Sequence, residues 1–131
     1  MDRAVFVVEP TDKLILLNPE KEIIEKGGLV FFGKIEEEIV GTFALLKVEN
    51  DIFEIAKMAV TKNWQSHGIG KQMLERAIQL TKRHQAKKII LYTHTNLKAA
   101  IGLYHKFGFR EIEINDFHNN RANIKMELII K

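Results

Sequence analysis

The segment from Phe53 to Thr93 reads FEIAKMAV (53–60), TKNWQSHG (61–68), IGKQMLERAIQLTKRHQ (69–85) and AKKIILYT (86–93), and its pattern is the strongest indication of the fold. The first piece is a strand pattern, and Ile89–Tyr92 is a continuous apolar run typical of a strand buried on both faces. Between them, apolar residues at helical spacing predict an amphipathic helix from Gly68 to about Gln85. That stripe consists of Ile69, Met73, Ala77, Leu80 and His84. A strand, a helix and a strand in this order predict a right-handed crossover between parallel strands.

Further elements are predicted on both sides of this unit. Asn18-Pro19-Glu20 is a helix start that Gly27-Gly28 would end, and Glu36-Glu37-Glu38 is a charged turn within an antiparallel hairpin. The predicted strands are Leu29–Ile35, Ile39–Val48, Phe53–Val60, Ile89–Tyr92, Phe109–Ile114 and Ile124–Ile130, with a second helical stripe at Leu97, Ile101, Tyr104 and Gly108. The fold class is therefore α/β (α+β): a mixed, mostly antiparallel sheet with a central parallel strand–helix–strand crossover.

The bulk composition suits one ordinary domain spanning residues 1–131, because 131 residues with 46% hydrophobic content can form a single core. The chain has no cysteine, which excludes disulfides and thiolate chemistry and fits a reducing cytoplasm. The N-terminal residues lack a signal-peptide pattern, and no apolar run approaches the length of a membrane span. We therefore expect a cytoplasmic protein without membrane contact.

The charges are divided unevenly along the chain. Residues 1–60 carry seven Lys/Arg and twelve Asp/Glu, a net charge of −5, whereas residues 61–131 carry thirteen and five, a net charge of +8. These add to the overall +3 and indicate two faces with different ligands, unless they are simply a solvated surface. No dense basic run with interleaved aromatic residues is present, so a nucleic-acid partner is not expected.

The loop Gln65-Ser66-His67-Gly68-Ile69-Gly70 joins the central strand to the helix, where first-turn N–H groups lack intrahelical partners. Gly68 and Gly70 would allow phosphate oxygens to approach the backbone. The sequence does not match either of two other phosphate-binding motifs, the P-loop and the dinucleotide-binding fingerprint. A P-loop needs glycine at position 65 and Ser or Thr at position 72, and a dinucleotide fingerprint needs Gly or Ala at position 73. Taken alone, the two glycines are equally compatible with a plain turn.

The loop is not alone, and the chain resembles the GNAT superfamily of N-acetyltransferases over roughly residues 19–131. The residues Gln65-x-x-Gly68-x-Gly70 match the family's Arg/Gln-x-x-Gly-x-Gly/Ala pattern, and Glu54–Val60 looks like its central strand. The segment Leu103–Phe109 is similar to the family's LYxKxGF element, and Ala122–Leu128 is similar to its last strand. Together these pieces are much more specific than any one of them.

The resemblance implies acetyl-CoA as co-substrate, with its pyrophosphate on the backbone amides of residues 65–70. It also implies that the pantetheine arm pairs with backbone near Met58–Val60, between two splayed parallel strands, with the acetyl carbonyl near the amide of Met58 or Val60. Lys62, Lys71, Lys82 and Lys87 could help to attract the phosphates. The implied cofactor-binding residues are Met58, Ala59, Val60, Gln65, Ser66, His67, Gly68, Ile69, Gly70, Lys71 and Asn96.

Two residues are candidates for catalysis in a direct transfer of acetyl to an amine. Glu54 stands six residues before Val60, where many members of the family carry a catalytic Glu, and part burial would raise its pKa toward that of a useful base. Tyr104 resembles the family's tyrosine that gives a proton to the leaving CoA thiolate. The alternatives are a solvated strand residue for Glu54 and a core residue for Tyr104.

Asn96 and the histidines carry weaker signals. The resemblance suggests that Asn96 contacts CoA, although it stands eight residues before Tyr104 where the family often has seven, and it could instead cap the following helix. His67 occupies a free position of the motif, where an exposed side chain is the ordinary expectation. His84, His94, His105 and His118 show no metal-ligand spacing, so no metal is expected.

The resemblance leaves the acceptor open. Family members usually begin with a strand and a helix before a segment like Phe6–Asp12, and here about five residues precede it, which implies either a shortened N-terminus or a sequence that lacks its start. A missing edge strand would leave an open sheet edge and favour a partner chain, such as a homodimer. The acidic first half favours a cationic small-molecule or peptide amine as acceptor. The alternative function is a non-catalytic acyl-CoA-binding module with the same fold.

Overall fold

The structure is a computed structural model that describes residues 6–10, 28–114 and 122–130. Within these ranges it contains seven strands, two α-helices and a short 3₁₀ turn, Lys62–Trp64. The strands are β1 (Phe6–Pro10), β2 (Gly28–Ile35), β3 (Glu38–Glu49), β4 (Ile52–Val60), β5 (Lys88–Thr93), β6 (Arg110–Ile112) and β7 (Ile124–Ile129). The helices are α1 (Ile69–Arg83) and α2 (Lys98–Lys106).

The described strands form one mixed sheet in the order β1-β2-β3-β4-β5-β7-β6. Every neighbouring pair is antiparallel except β4 and β5, which are parallel and are joined by α1. The predicted fold class, its central crossover and the β2–β3 hairpin are therefore confirmed. The last strand, β7, lies between β5 and β6, an order that the sequence pattern does not predict.

The predicted elements match the observed ones with a few differences. The sequence pattern predicts no strand at Phe6–Pro10, where β1 forms one edge of the sheet. Strand β6 covers only Arg110–Ile112 of the predicted Phe109–Ile114, and it pairs only with β7. The predicted helix beginning at Asn18 lies outside the described residues, and the single domain over residues 1–131 remains a prediction.

The hydrophobic core lies between α1 and the central strands. The predicted helical stripe is confirmed, since Ile69, Met73, Ala77 and Leu80 are all buried, while His84 is half-buried at the end of α1. On β4 the buried residues Phe53 and Ile55 belong to the same core, as do Ile89 and Leu91 on β5. Burying a side chain of this size stabilises a fold by roughly 1.5–3 kcal/mol. The α1–sheet contact therefore fixes where the helix begins relative to β4.

The central parallel pair is unusually short. Strands β4 and β5 pair only over Ile52–Glu54 and Lys88–Ile90, although β4 continues to Val60 and β5 continues to Thr93. Beyond Glu54, β4 pairs with β3 alone, and an irregularity there places two β4 residues opposite one residue of β3, the arrangement of a β-bulge. The two parallel strands thus separate toward their carboxyl ends.

Candidate active site

A cavity of about 600 Å³ lies at the carboxyl end of β4, beyond the residues of β4 that pair with β5. It is enclosed by the end of β4, the loop that enters α1, the first turn of α1 and the length of α2. The lining residues are Met58, Ala59, Val60, Trp64, Gln65, Ser66, Gly68, Ile69, Gly70, Lys71, Leu97, Lys98, Ala99, Ala100, Gly102, Leu103, Tyr104 and Lys106. Nine of the eleven predicted cofactor-binding residues therefore come together around one space.

Two residues of the loop 65–70 adopt left-handed backbone conformations, Ser66 with φ 68° and Gly68 with φ 80°. Gly68 is the N-cap of α1, and a Cβ added to it would meet nothing within 4 Å. Glycine suits this position because of its backbone angle, since L side chains rarely adopt that φ. A Cβ at Gly70 would lie 3.7 Å from the Leu103 side chain, an ordinary contact, so Gly70 leaves room in the cavity without being required by packing.

The first turn of α1 presents unused hydrogen-bond donors to the cavity. The helical ladder begins with the bond from the Gln72 N–H to the Gly68 carbonyl, so the N–H groups of Ile69, Gly70 and Lys71 precede it. Gly68 supplies no side-chain cap, and the first turn contains no acidic residue. The positive end of the helix dipole is therefore available to an anion in the cavity.

Charge complements these donors. Lys71, Lys98 and Lys106 line the cavity, and no acidic residue is among the described residues that line it. Of the lysines predicted to attract phosphate, Lys71 lines the cavity, whereas Lys62, Lys82 and Lys87 do not. Lys98 and Lys106 were missed by sequence reasoning, because their place beside the cavity depends on how α2 packs. The cavity is positively charged along two helices.

The loop is tied to the strand that precedes it. The side-chain amide of Gln65 donates a hydrogen bond to the Val60 carbonyl at 3.2 Å, which closes the loop onto the last residue of β4. The Thr61 N–H donates to the Val40 carbonyl at 2.9 Å, which continues the β3–β4 contact into the loop. These bonds explain how a glutamine at the first motif position shapes the loop through its side chain.

Tyr104 lines the cavity from α2, and its side chain is 8% exposed. Its ring also packs 5.8 Å from the Phe109 ring, so it belongs to the core as well as to the cavity. Burial raises the pKa of Tyr104 above its ordinary value, which keeps the phenol protonated throughout the neutral range. A protonated hydroxyl group at this place can donate a proton to an anion formed in the cavity.

Glu54, His67 and Asn96 are not among the residues that line the cavity. Glu54 is half-buried at the last position where β4 pairs with β5, opposite Ile90. Strand alternation directs it to the sheet face opposite the buried Phe53 and Ile55. It therefore stands at the base of the separation between the strands, on the far side of β4 from the α1 core.

The other two residues lie on the surface. His67 is exposed, and its Nδ1 donates to the Gln65 carbonyl at 2.9 Å. Asn96 is also exposed; its backbone N–H donates to Nδ1 of His94 at 3.1 Å, and the N-cap of α2 is Leu97, which has no side-chain cap bond. The alternative that Asn96 caps this helix is therefore wrong. Contact of Asn96 or His67 with CoA stays a prediction.

The described ranges hold neither a metal-ligand cluster nor a membrane-spanning helix. Among those residues, no three His, Asp or Glu side chains are grouped so that they could hold a metal ion. Neither of the two described helices has the length and apolar character that a membrane crossing needs. The donors of the lining residues include backbone amides, three lysines, the Ser66 hydroxyl and the Tyr104 phenol, a set suited to phosphate groups and to proton transfer.

Comparison with known proteins gives a consistent family assignment. The sequence model of the Acetyltransferase (GNAT) family matches residues 4–109. The uncharacterized N-acetyltransferase YvbK of Bacillus subtilis is 32% identical over 102 residues, which are 76% of this chain and 66% of that protein. The chain spans 44% of the length of each of two further curated relatives.

Two solved structures show the same fold. A GNAT-family acetyltransferase from Staphylococcus aureus superposes with a TM-score of 0.78 at 22% identity, covering 97% of this chain and 100% of that one. A GNAT-family acetyltransferase from Elizabethkingia anophelis, solved with acetyl-CoA bound, gives a TM-score of 0.74 at 24% identity, covering 95% and 98%. At these identities the likeness concerns the fold.

The two motif glycines should respond differently to the same substitution. Gly68→Ala forces a Cβ into a left-handed conformation and should lower the free energy of unfolding by about 1–2 kcal/mol, whereas Gly70→Ala should change it by less than about 0.5 kcal/mol. Urea denaturation followed by circular dichroism measures both. Gly68→Asn, which tolerates the left-handed region better, should recover part of the loss. Equal losses at both glycines would contradict this account of the loop.

Proposed function

Because the chain belongs to the GNAT acetyltransferase family, we propose that it transfers the acetyl group of acetyl-CoA to a primary amine by direct attack in a ternary complex. The observation that carries the proposal is the cavity at the end of β4, beyond its pairing with β5, which is lined by the first turn of α1 and by Tyr104. Acetyl-CoA has a phosphate-bearing end and a narrow thioester arm. The phosphate end matches the first turn of α1, and the thioester matches the part of the cavity lined by Tyr104.

In the proposed acetyl-CoA site, backbone amides bind both the pyrophosphate and the acetyl carbonyl. The pyrophosphate of acetyl-CoA accepts hydrogen bonds from the amides of residues 65–70 and from the first turn of α1, with Lys71, Lys98 and Lys106 nearby. The pantetheine arm runs beside Met58–Val60, where β4 has left its parallel partner. The acetyl carbonyl lies near the amide of Met58 or Val60. The acetyl-CoA seen in the Elizabethkingia protein supports this choice of ligand.

The proposed reaction forms one bond and breaks one. The unprotonated amine attacks the acetyl carbonyl carbon to form a C–N bond, the C–S bond breaks, and the CoA thiolate takes the proton of the Tyr104 hydroxyl. The nitrogen, which is cationic after attack, releases one proton, and a proton returned through solvent restores the Tyr104 hydroxyl. Holding both reactants together supplies an effective molarity of about 10⁵–10⁸ M. A lysine-like acceptor must also lose a proton, which costs about 4–5 kcal/mol at pH 7, while an α-amine costs about 1 kcal/mol. Glu54 is the proposed base for that proton.

The proposed acceptor is a cationic amine. The reason is the net charge of −5 in residues 1–60, against +8 in residues 61–131, which include the lysines of the donor cavity. Complementary charge would bring a polycation and a polyphosphate to different parts of the surface. The alternative from another class is a non-catalytic acyl-CoA-binding module, which would share the donor cavity but release no CoA.

Release of CoA tests the proposal and separates the two classes. We expect acetyl-CoA to lose its acetyl group only when an amine is present, with polyamines and aminoglycosides preferred over amino acids and acidic peptides. A thiol reagent measures the released CoA directly, since the chain contains no cysteine. Binding of acetyl-CoA without release across the panel would favour the binding module. A preference for anionic acceptors would remove the proposed acceptor class.

Tyr104→Phe tests the proton donor. The substitution removes only the hydroxyl group and keeps the ring that packs on Phe109, so the thermal midpoint should change little. Loss of a general acid should lower kcat by about 10²–10⁴-fold while the affinity for acetyl-CoA is kept. Steady-state kinetics, with calorimetry for affinity, measure both effects. A variant with unchanged kcat would assign Tyr104 to the core alone.

Glu54→Gln tests the base through its pH dependence. With a polyamine acceptor, we expect kcat/KM to fall at neutral pH and to recover as rising pH deprotonates the amine without help. With an α-amine acceptor the loss should be much smaller, because that amine needs less assistance. Glu49→Gln, an exposed change at the end of β3, serves as a matched control. An unaltered pH–rate profile in Glu54→Gln would exclude this residue as the base.

A further inference from the structure

Trp64 is the single tryptophan of the chain and ends the 3₁₀ turn that leads into the loop 65–70. Its side chain is half-buried, packs against the hydrophobic core and lines the cavity. The sequence motif begins one residue later, at Gln65, so Trp64 falls outside the pattern that identifies the loop. A broad, rigid ring at this point can contact both the loop and a molecule in the cavity.

The indole of Trp64 binds the β2–β3 hairpin. Its N–H donates a hydrogen bond to the Glu38 carboxylate at 3.1 Å. Glu38 begins β3, directly after a turn in which Glu36 has a left-handed φ of 56°. Because the acceptor is charged, this bond is stronger than one between neutral groups. It joins the loop to an element 26 residues away in the chain.

The ring of Trp64 also touches the loop itself. It meets the His67 ring edge-on, with centroids 5.3 Å apart, and Nδ1 of His67 donates to the Gln65 carbonyl. A continuous chain of contacts therefore runs from Glu38 through Trp64 and His67 to Gln65. It spans the part of the loop in which Ser66 and Gly68 adopt left-handed angles.

We propose that Trp64 and Glu38 are positioning residues that hold the loop 65–70 in its diphosphate-binding shape, and that the Trp64 ring forms one wall of the cavity. The inference rests on the proposed function. A loop that lacks this tie must be ordered when the ligand binds, and that ordering weakens the affinity. Neither residue acts on the thioester. Their loss should therefore weaken acetyl-CoA binding and leave the turnover of the bound complex nearly unchanged.

Calorimetry of acetyl-CoA binding tests the role of the Trp64–Glu38 hydrogen bond with variants that remove one partner at a time. Trp64→Phe keeps a ring but removes the N–H donor, and Glu38→Ala removes the acceptor. Each should weaken binding by roughly 3- to 15-fold, and the double variant should bind no more weakly than either single variant, because both remove one shared bond. At saturating acetyl-CoA, kcat should stay within about twofold of the parent. Glu37→Ala removes the same charge from the adjacent exposed residue and should bind like the parent.

Fluorescence adds a direct readout. Because Trp64 is the only tryptophan, addition of acetyl-CoA should change the emission of the parent protein, and an emission that does not respond would overturn its role as a cavity wall. Unchanged affinity in Trp64→Phe and Glu38→Ala, or losses that add in the double variant, would overturn the tie while leaving the proposed function intact. A parent protein that binds no acetyl-CoA would overturn both.

Discussion

The separation of β4 from β5 is the constraint on which the rest of the site depends. Two parallel strands that stay paired share their backbone hydrogen bonds and leave no space between them. Here the pairing lasts for three residues on each strand, and a bulge in β4 keeps its later residues bound to β3 alone. Backbone at Met58–Val60 thus faces an opening instead of a neighbouring strand. An extended ligand arm can occupy that opening as a strand would.

The position of α1 turns this opening into an anion site. The buried stripe of the helix packs it against β3 and β4, and its first turn begins just after β4 ends. Gly68 provides the left-handed backbone conformation at the start of α1, and Gly70 places no side chain in the first turn of that helix. Packing and chemistry are therefore coupled, since the same core that holds the helix also aims its unpaired N–H groups into the cavity.

The basic second half of the chain serves two purposes. Lys71, Lys98 and Lys106 line the cavity, but other cations hold the sheet together. Glu127 is 7% exposed and accepts hydrogen bonds from Arg110, with its second oxygen 3.4 Å from the Lys88 amino group. These contacts link β5, β6 and β7, and they pair the positive charges of Lys88 and Arg110 with the buried Glu127 carboxylate. The net charge of the segment therefore overstates what the ligand meets.

Most of the described strands, both helices and the loop 65–70 could be predicted from the sequence, because they depend on local patterns, whereas the edge strand β1 was missed. Periodicity identified the strands and the buried stripe of α1, and the spacing of Gln65, Gly68 and Gly70 marked the turn into that helix. The residues that surround the loop could not be predicted in this way, because they depend on tertiary packing. Three features bring together residues that are distant in the chain: β7 lies between β5 and β6, Lys98 and Lys106 line the same cavity as the loop, and Trp64 bonds to Glu38. Packing also leaves Asn96 outside the cavity wall. Such contacts follow from strand register and from where α2 packs, and neither leaves a periodic trace in the residues that make them.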